Sequence, residues 1–384
     1  MSYLFRAALP NDFDDLIALS TEAFTSALRP HDPALDRPQS VWVLESEGAL
    51  IAEATDIQFE SWFGGAKIAT AGIGNVVVAP EHRGAGAAKA IMVSTLQRAH
   101  ERGATISTLF GGAPGLYRRL GYELVASSKD WVLPLTALRG IEKAPGIRLR
   151  RATAGDDAAL RAWHNRQAAA GSGMIDRSTG RISAPGSQTT VAIDDSGAIV
   201  GALVWRTTDS NPGVAVDVDD LRADSAGSLG ALLSSLATWS SVADRVSIQA
   251  VDDAPFRLIL GGNAEARNVA PYMLRILDVP AAIEGRAWNR RVSGDVVVRI
   301  EDDVIAGNTG NWRLAASAGR VAVSATDAEP VATLSLRGLA LWYSGVTRCA
   351  ALRRLGFLAG DSHEADALLD DLAAAPPVFV TSYF

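Results

Sequence analysis

The sequence predicts an α+β protein in three parts: two consecutive mixed sheets with flanking helices, then a smaller α+β unit. Strands and helices follow a similar order in both halves of the chain before residue 284, and a short motif at 6–12 returns at 151–157. Beyond residue 295, alternating strands are followed by amphipathic helices. Because 384 residues suit two to four domains, we predict domains at 1–140, 141–284 and 285–384.

The first predicted domain begins with a short strand at 4–9 and a helix at 13–24, whose apolar side chains keep helical spacing. Asn11 and Asp12 can cap that helix. The segment 25–38 is rich in proline and aspartate, which predicts a lid or substrate loop. The pattern then predicts strands at 41–45, 50–58 and 67–78, a helix of about five turns, a strand at 105–109, a short helix and a strand near 129–133.

The most informative stretch lies at 74–122. The β-branched run Val76-Val77-Val78 predicts a buried strand, and Pro80 ends it. A run of small residues then opens a helix, so several unpaired backbone N–H groups point to one place where the helix dipole is positive. Such a place attracts phosphate. We therefore predict a pyrophosphate cradle that consists of Arg83, Gly84, Ala85, Gly86, Ala87, Ala88 and Lys89.

Two other interpretations compete for this stretch. The small residues could merely let the helix pack against the strand. A dinucleotide-binding fold also combines strand, glycines and helix, but its glycines follow the strand directly and include a third. Here residues 79–83 intervene, and Lys89 stands at the third glycine position. The dinucleotide-binding interpretation is therefore disfavoured.

The pattern Arg83-x-x-Gly86-x-Ala88 resembles the acetyl-CoA signature of GCN5-related N-acetyltransferases (GNAT), which is Arg/Gln-x-x-Gly-x-Gly/Ala. The resemblance implies acetyl-CoA as co-substrate and two tandem GNAT domains in the first two parts of the chain. It also implies that CoA contacts the strand and the turn before the short helix, at Val76, Val77, Val78, Gly112 and Ala113. Members of the family often carry Ser-Glu where this sequence has Gly112-Ala113.

In the second domain the motif Arg151-Ala-Thr-Ala-Gly-Asp-Asp157 echoes Arg6-Ala-Ala-Leu-Pro-Asn-Asp12. A helix at 228–238 and strands at 190–193, 199–207, 214–221 and 246–251 complete the predicted copy. The signature position differs, because the strand that begins at Val214 leads into Asp219-Asp220-Leu-Arg-Ala-Asp224. Three aspartates at a phosphate cradle would repel pyrophosphate. The second copy is therefore predicted not to bind CoA.

The third domain is predicted to contain strands at 295–301, 312–317 and 320–325 and helices at 336–343, 347–355 and 365–373. The domain order, the segments 273–284 and 308–314, and the terminal Tyr383-Phe384 resemble the Eis (enhanced intracellular survival) family of aminoglycoside N-acetyltransferases. That resemblance implies a sterol-carrier-protein-like last domain. It also implies a small-molecule amine acceptor and assembly as a homohexamer, a trimer of dimers.

The Eis resemblance implies two catalytic groups. Tyr117, in Tyr117-Arg-Arg-Leu-Gly-Tyr122, matches the general acid. A phenol with a pKa of about 10 can protonate a thiolate whose conjugate acid has a pKa near 8.5. The strand at 72–76 carries no carboxylate, and in the Eis family the C-terminal carboxylate acts as base. That role falls here to Phe384, at the end of an apolar, β-prone tail.

Composition and charge argue against several other classes of protein. The net charge is −7 without a basic tract, so nucleic-acid binding is not expected. No apolar run reaches membrane-spanning length, and the N-terminus lacks a secretory pattern, so we expect a cytoplasmic protein. The five histidines show no metal-ligand spacing, so no metal is expected. The single cysteine, Cys349, excludes an intrachain disulfide and is expected to be a buried, inert thiol.

These observations favour an acetyl-CoA-dependent N-acetyltransferase in which an amine of an aminoglycoside-like or other polyamine substrate attacks directly in a ternary complex. A transferase acting on protein lysine or on another small amine is the first alternative. The second is a lipid or hydrophobe carrier that uses the last domain and keeps a vestigial transferase. An intact CoA signature disfavours the carrier, whereas fatty-ligand binding without CoA turnover would favour it.

Overall fold

The computed structural model describes residues 3–24, 37–141, 144–180, 183, 185–209, 214–250, 264–376 and 378–380. Most of the predicted lid at 25–38 lies outside these ranges. Within them, no helix combines the length and the apolar character needed to cross a membrane.

The first part of the chain follows the predicted order of strands and helices. Strand β3 and strand β4 form a long hairpin through Gly64 and Gly65. Both glycines have positive φ, and a Cβ at Gly64 would lie 2.2 Å from the carbonyl oxygen of Ala287, so the turn requires glycine there. The elements are β1 (Leu4–Ala7), α1 (Phe13–Phe24), β2 (Gln39–Ser46), β3 (Ala49–Phe63), β4 (Ala66–Val78), α2 (Ala87–Glu101), β5 (Ile106–Phe110), α3 (Pro114–Arg118) and β6 (Glu123–Pro134).

The second part repeats the start of the first. Its elements are β7 (Arg148–Arg151), α4 (Asp157–Ala169), β8 (Ser172–Ile175), β9 (Gln188–Ile193), β10 (Ile199–Asp209), β11 (Val214–Ala223), α5 (Ala226–Ala237), β12 (Ala243–Ala250) and β13 (Glu265–Ile276). In each part an arginine on the first strand binds an aspartate just before the helix, Arg6–Asp12 and Arg150–Asp156, both at 2.6 Å. The predicted alignment of 6–12 with 151–157 is therefore wrong by one residue, because Arg150, not Arg151, is equivalent to Arg6.

Strands from both parts form one sheet rather than two. The path is β1-β2-β3-β4-β5-β13-β6-β12-β11-β10-β9-β7, and β8 pairs with β3 beside it. Strand β13, which the sequence places in the second domain, pairs with β5 on one side and with β6 on the other. The boundaries at residues 140 and 284 remain predictions, although hydrogen bonding joins the two parts across the first of them.

The last part has its own five-stranded sheet in the order β16-β15-β14-β17-β18. Its elements are α6 (Val279–Gly285), β14 (Gly294–Glu301), β15 (Gly310–Ser317), β16 (Arg320–Ala325), β17 (Ala332–Ser335), α7 (Leu336–Ser344), α8 (Cys349–Arg354), β18 (Leu358–Ala359) and α9 (His363–Ala373). Trp288 stacks on Trp342 at 4.9 Å inside this part. Cys349 is buried, as predicted, and burial is the main cause that raises its thiol pKa.

A buried ion pair joins β13 to the last part. Arg275 on β13 and Asp302, just after β14, are both fully buried, and the guanidinium binds both carboxylate oxygens at 2.8 and 2.7 Å. Arg275 also donates to the backbone oxygen of Leu120, which lies just after α3. One side chain therefore connects three parts of the fold.

We expect Arg275→Met to lower the unfolding temperature markedly. Removing one partner of a buried ion pair leaves the other charge uncompensated, which costs about 3–5 kcal/mol. Arg299→Met is the matched control, because Arg299 pairs with Glu301 on the exposed surface of β14, where such pairs contribute about 0.2–1 kcal/mol. Thermal unfolding followed by circular dichroism makes the comparison. Equal unfolding temperatures for the two variants would contradict a structural role for the buried pair.

Candidate active site

An open wedge separates the ends of two parallel strands in the first part. Strands β4 and β5 pair only between Thr70–Gly72 and Ile106–Thr108. Beyond Gly72, β4 continues for six residues to Val78, and the described residues show no pairing between this stretch and β5. Val76, Val77 and Val78, predicted to contact CoA, lie on that stretch. Its free backbone edge can accept an extended ligand by strand-like hydrogen bonds.

A bulge bends β4 at the wedge. Glu53 pairs with Val77 and Thr55 pairs with Gly74, so two residues of β4, Asn75 and Val76, lie opposite one residue of β3. Asn75 has a φ of 50°, which is uncommon outside glycine but tolerated by asparagine. Such bulges re-aim a strand locally and are frequent beside active sites.

The predicted cradle follows this strand as an exposed loop. Gly84 and Gly86 have φ values of +81° and +91°, and a Cβ at either would meet nothing within 4 Å. Helix α2 begins at Ala87, after Gly86 as its N-cap, and no side chain caps it. The predicted helix start is therefore corrected: Arg83 to Gly86 form the loop, and Ala87, Ala88 and Lys89 form the first turn. Free backbone N–H groups beside open space fit the pyrophosphate of acetyl-CoA.

The equivalent place in the second part is closed. Strand β11 stays paired with β12 as far as Leu221, so no wedge opens there among the described residues. Asp219 and Asp220, predicted to repel pyrophosphate at the cradle position, both lie within β11, and each pairs with an arginine, Arg206 and Arg222. Ser225 caps α5 by accepting from the backbone N–H of Ser228. The absence of a CoA site here remains a prediction, supported now by strand pairing and helix capping.

Tyr117 lies on α3, directly after the turn that ends β5. Its side chain is 8% exposed, and burial raises the pKa of its phenol above the ordinary value. It is therefore protonated at neutral pH, as a hydrogen-bond donor must be. Gly112 and Ala113 lie in the exposed turn between β5 and α3. Tyr122 is fully buried and its hydroxyl lies 2.5 Å from that of Ser107.

The described part of the C-terminal tail is packed. Val378 and Val380 are buried, and Phe379 donates its backbone N–H to Ser172 of β8 at 3.0 Å. Two glycines make room for the tail, because a Cβ at Gly171 or Gly173 would lie within 2.8 Å of its side chains. Phe384, the predicted base, lies outside the described residues.

Sequence reasoning missed a polar cluster behind the bulge. The carboxylate of Glu53 accepts hydrogen bonds from the hydroxyl of Ser20 on α1, at 3.2 Å, and from the side-chain amide of Asn75. Glu53 is fully buried. Burial raises its pKa to about 7, although both hydrogen bonds act in the opposite direction. The available hint was a single glutamate within the apolar run Leu50-Ile-Ala-Glu-Ala54.

Comparisons with known proteins find two matching families and several similar N-acetyltransferases. Residues 5–125 match the family described as acetyltransferase (GNAT) domain, and residues 279–380 match the sterol carrier protein domain. A protein of Streptomyces griseus named as an uncharacterized N-acetyltransferase is 27% identical, with 93% of both chains covered.

Two solved structures share the fold over the whole chain. A GCN5-related N-acetyltransferase from Kribbella flavida has a TM-score of 0.85 at 26% identity, with 100% of this chain and 98% of that chain covered. Eis1 from Mycobacterium abscessus has a TM-score of 0.77 at 20% identity, with both chains fully covered. The GNAT domain match implies acetyl-CoA as the co-substrate. The protein is therefore an N-acetyltransferase that carries a GNAT domain at residues 5–125 and a sterol carrier protein domain at residues 279–380.

Proposed function

We propose that this enzyme transfers the acetyl group of acetyl-CoA to an amine of an aminoglycoside-like or other polyamine substrate, by direct attack in a ternary complex. The observation that carries the proposal is the wedge between β4 and β5, which leads into a loop with unobstructed N–H groups. The polyamine class comes from the resemblance to the Eis family, and the net charge of −7 suits cationic substrates.

The acceptor class can be tested by thiol release from acetyl-CoA across a panel of amines. Aminoglycosides and linear polyamines should give the highest kcat/KM, and lysine peptides and simple primary amines should give lower values. Faster turnover of a lysine peptide than of any polyamine would favour the alternative of a protein-lysine acetyltransferase.

The carrier alternative has less support. Trp288, Trp342 and Tyr343 pack against one another, and Tyr343 also packs against Phe63 of β3, in a core cluster that the last part shares with the first. Fatty-acid binding without CoA turnover would still favour it. We also propose cytoplasmic location, whereas assembly as a homohexamer remains a prediction from the family resemblance.

We expect Gly86→Glu to weaken CoA binding at least about tenfold, which corresponds to ~1.4 kcal/mol. The new carboxylate would place negative charge in the pyrophosphate cradle, and its backbone would have to adopt a φ of +91°. Gly103→Glu is the matched control. Gly103 also has a positive φ and open space, but it lies just beyond the opposite end of α2. Calorimetric titration with CoA should separate the two variants; equal affinities, or two CoA molecules per parent chain, would contradict a single cradle.

We propose that Tyr117 donates its hydroxyl proton toward the departing thiolate. Burial raises the pKa of the phenol, so Tyr117 gives up its proton less readily. We therefore favour a role in which the hydroxyl donates a hydrogen bond to the negative charge that develops on the sulfur in the transition state, rather than a complete proton transfer before the sulfur departs. The unmodified ring can stay in place in a phenylalanine variant, so only the donor is lost.

Tyr117→Phe is expected to lower kcat by about 10²-fold or more and to leave CoA affinity nearly unchanged. Tyr122→Phe is the control, because it removes a buried hydroxyl from the neighbouring ring. That variant should lower stability without a comparable loss of kcat. Parental turnover in Tyr117→Phe would exclude the proposed role.

We propose that the Phe384 carboxylate accepts or orients the proton of the substrate amine. The direction of the described tail supports this. Val378 pairs in parallel with Ser172 of β8, and β8 runs antiparallel to β3. The described tail therefore runs from the level of Phe63 toward the end of β3 that lies opposite the bulge of β4.

Adding one glycine after Phe384 moves the carboxylate by about 3.5 Å and should lower kcat strongly. Thermal stability and CoA affinity should stay largely unchanged. An N-terminal extension of one glycine is the control and should have little effect. If the glycine-extended enzyme acetylates its best amine at the parental rate, the terminal carboxylate has no catalytic role.

A further inference from the structure

Glu53 differs from the other buried carboxylates in the described residues of the first part. Asp12, Asp56 and Glu123 each bind at least one arginine. Glu53 is fully buried, yet its carboxylate is held by two neutral donors, the hydroxyl of Ser20 and the amide of Asn75. Burying a carboxylate without a cation is costly, so a function is the better explanation for its presence than stability.

The two donors tie Glu53 to the wedge. Asn75 is the bulge residue with φ of 50°, and its amide nitrogen also lies 3.0 Å from the hydroxyl of Ser20. A side chain from α1 and another from β3 thus hold one residue of β4 in an uncommon backbone conformation. Directly after Asn75 come Val76 and Val77, on the free edge of β4.

We propose that Glu53, together with Ser20, is a positioning residue for acetyl transfer: it holds Asn75 in the left-handed conformation and so sets the β4 edge along which acetyl-CoA lies. The inference rests on the proposed function, because it requires acetyl-CoA at Val76, Val77 and Val78. Glu53 acts through Asn75 and does not itself touch the reacting atoms.

The clamp of Glu53, Ser20 and Asn75 is sensitive to pH. Burial raises the pKa of Glu53 to about 7. Above that pH its carboxylate accepts from both donors; below it the carboxyl group carries a proton of its own and offers one acceptor fewer. The rate should therefore rise as pH increases through 7.

The neighbouring elements supply no competing charge. On β2 the residue paired with Glu53 is Val43, and on β4 it is Val77. The acidic residues of α1, Asp14, Asp15 and Glu22, are exposed, and Glu45 of β2 pairs with Arg6. On β4 the charged residue is Lys67, at the far end of the strand, where it pairs with Glu60 and Asp176. Among the described residues, the pH response is thus assigned to Glu53.

The first test is the pH profile of kcat/KM for acetyl-CoA between pH 6 and 8. The parent should rise about tenfold, as expected for a group with a pKa near 7. Glu53→Gln keeps the shape and one acceptor oxygen but cannot ionise, so the part of the rise that is centred near pH 7 should be lost. Glu60→Gln, the same change on an exposed part of β3, should keep the parental rise. An unchanged rise in Glu53→Gln would overturn the proposal.

The second test is rescue by glycine. Glu53→Ala removes the clamp and should lower kcat/KM at least about tenfold, in the range of a misplaced catalytic geometry. Glycine adopts positive φ without support, so adding Asn75→Gly to Glu53→Ala should restore activity at least about threefold relative to Glu53→Ala. A double variant no more active than Glu53→Ala would show that Glu53 does not act through the backbone of Asn75. If Glu53→Ala fails to fold, the profile of Glu53→Gln decides.

The two proposals can fail separately. If CoA binds the parent and Gly86→Glu equally well, the proposed function fails. If Gly86→Glu loses CoA while Glu53→Gln keeps the parental pH profile, only the positioning role of Glu53 fails.

Discussion

The insertion of β13 between β5 and β6 is the constraint on which the rest of the structure depends. It saturates the hydrogen bonds of β5 on the side away from β4, from Ile106 to Phe110. The backbone N–H of Gly111 then binds Pro271 of β13 at 3.0 Å, so the turn into α3 is held as well. Because unpaired backbone groups are costly when buried, β5 has a free edge only toward β4. The wedge proposed to receive CoA therefore lies on the one side of β5 that β13 leaves free.

Strand β13 also contacts the last part of the chain. At its end, Arg275 binds Asp302 of the last part and the carbonyl of Leu120 after α3. Glu123, the first residue of β6, binds Arg118 of α3 and Arg337 of α7. Burial raises the pKa of Glu123, but hydrogen bonds from these arginines and from the backbone N–H of Leu124 outweigh it, so the pKa lies below its usual range. These contacts connect α3, the helix that carries Tyr117, to the last part of the chain.

The two related halves differ at the strand end and helix start where the ligand site is proposed. In the first half the pairing of β4 with β5 stops at Gly72, and the N-cap of α2 is Gly86, which has no side chain to cap the helix. In the second half the pairing of β11 with β12 continues to Leu221, and the hydroxyl of Ser225 accepts from one backbone N–H in the first turn of α5, that of Ser228. A capped helix end has fewer free donors for phosphate. The equivalent ion pairs Arg6–Asp12 and Arg150–Asp156 show that the two halves otherwise begin alike.

The sequence by itself determined the order of elements, the small-residue loop and helix start at 83–89 and the likeness of the two halves, because these depend on local periodicity, small residues and capping. Only the tertiary structure decided that β13 joins the first half, that Asp219 and Asp220 serve ion pairs within a strand, and that Glu53 meets Ser20 and Asn75. The contacts of Glu53 span 33 and 22 positions and the pairing of β13 with β5 spans more than 160, and no local pattern encodes which distant strand will complete a sheet. Burial of Glu53 against α1 and the bulge, not its neighbours in sequence, moves its pKa to about 7.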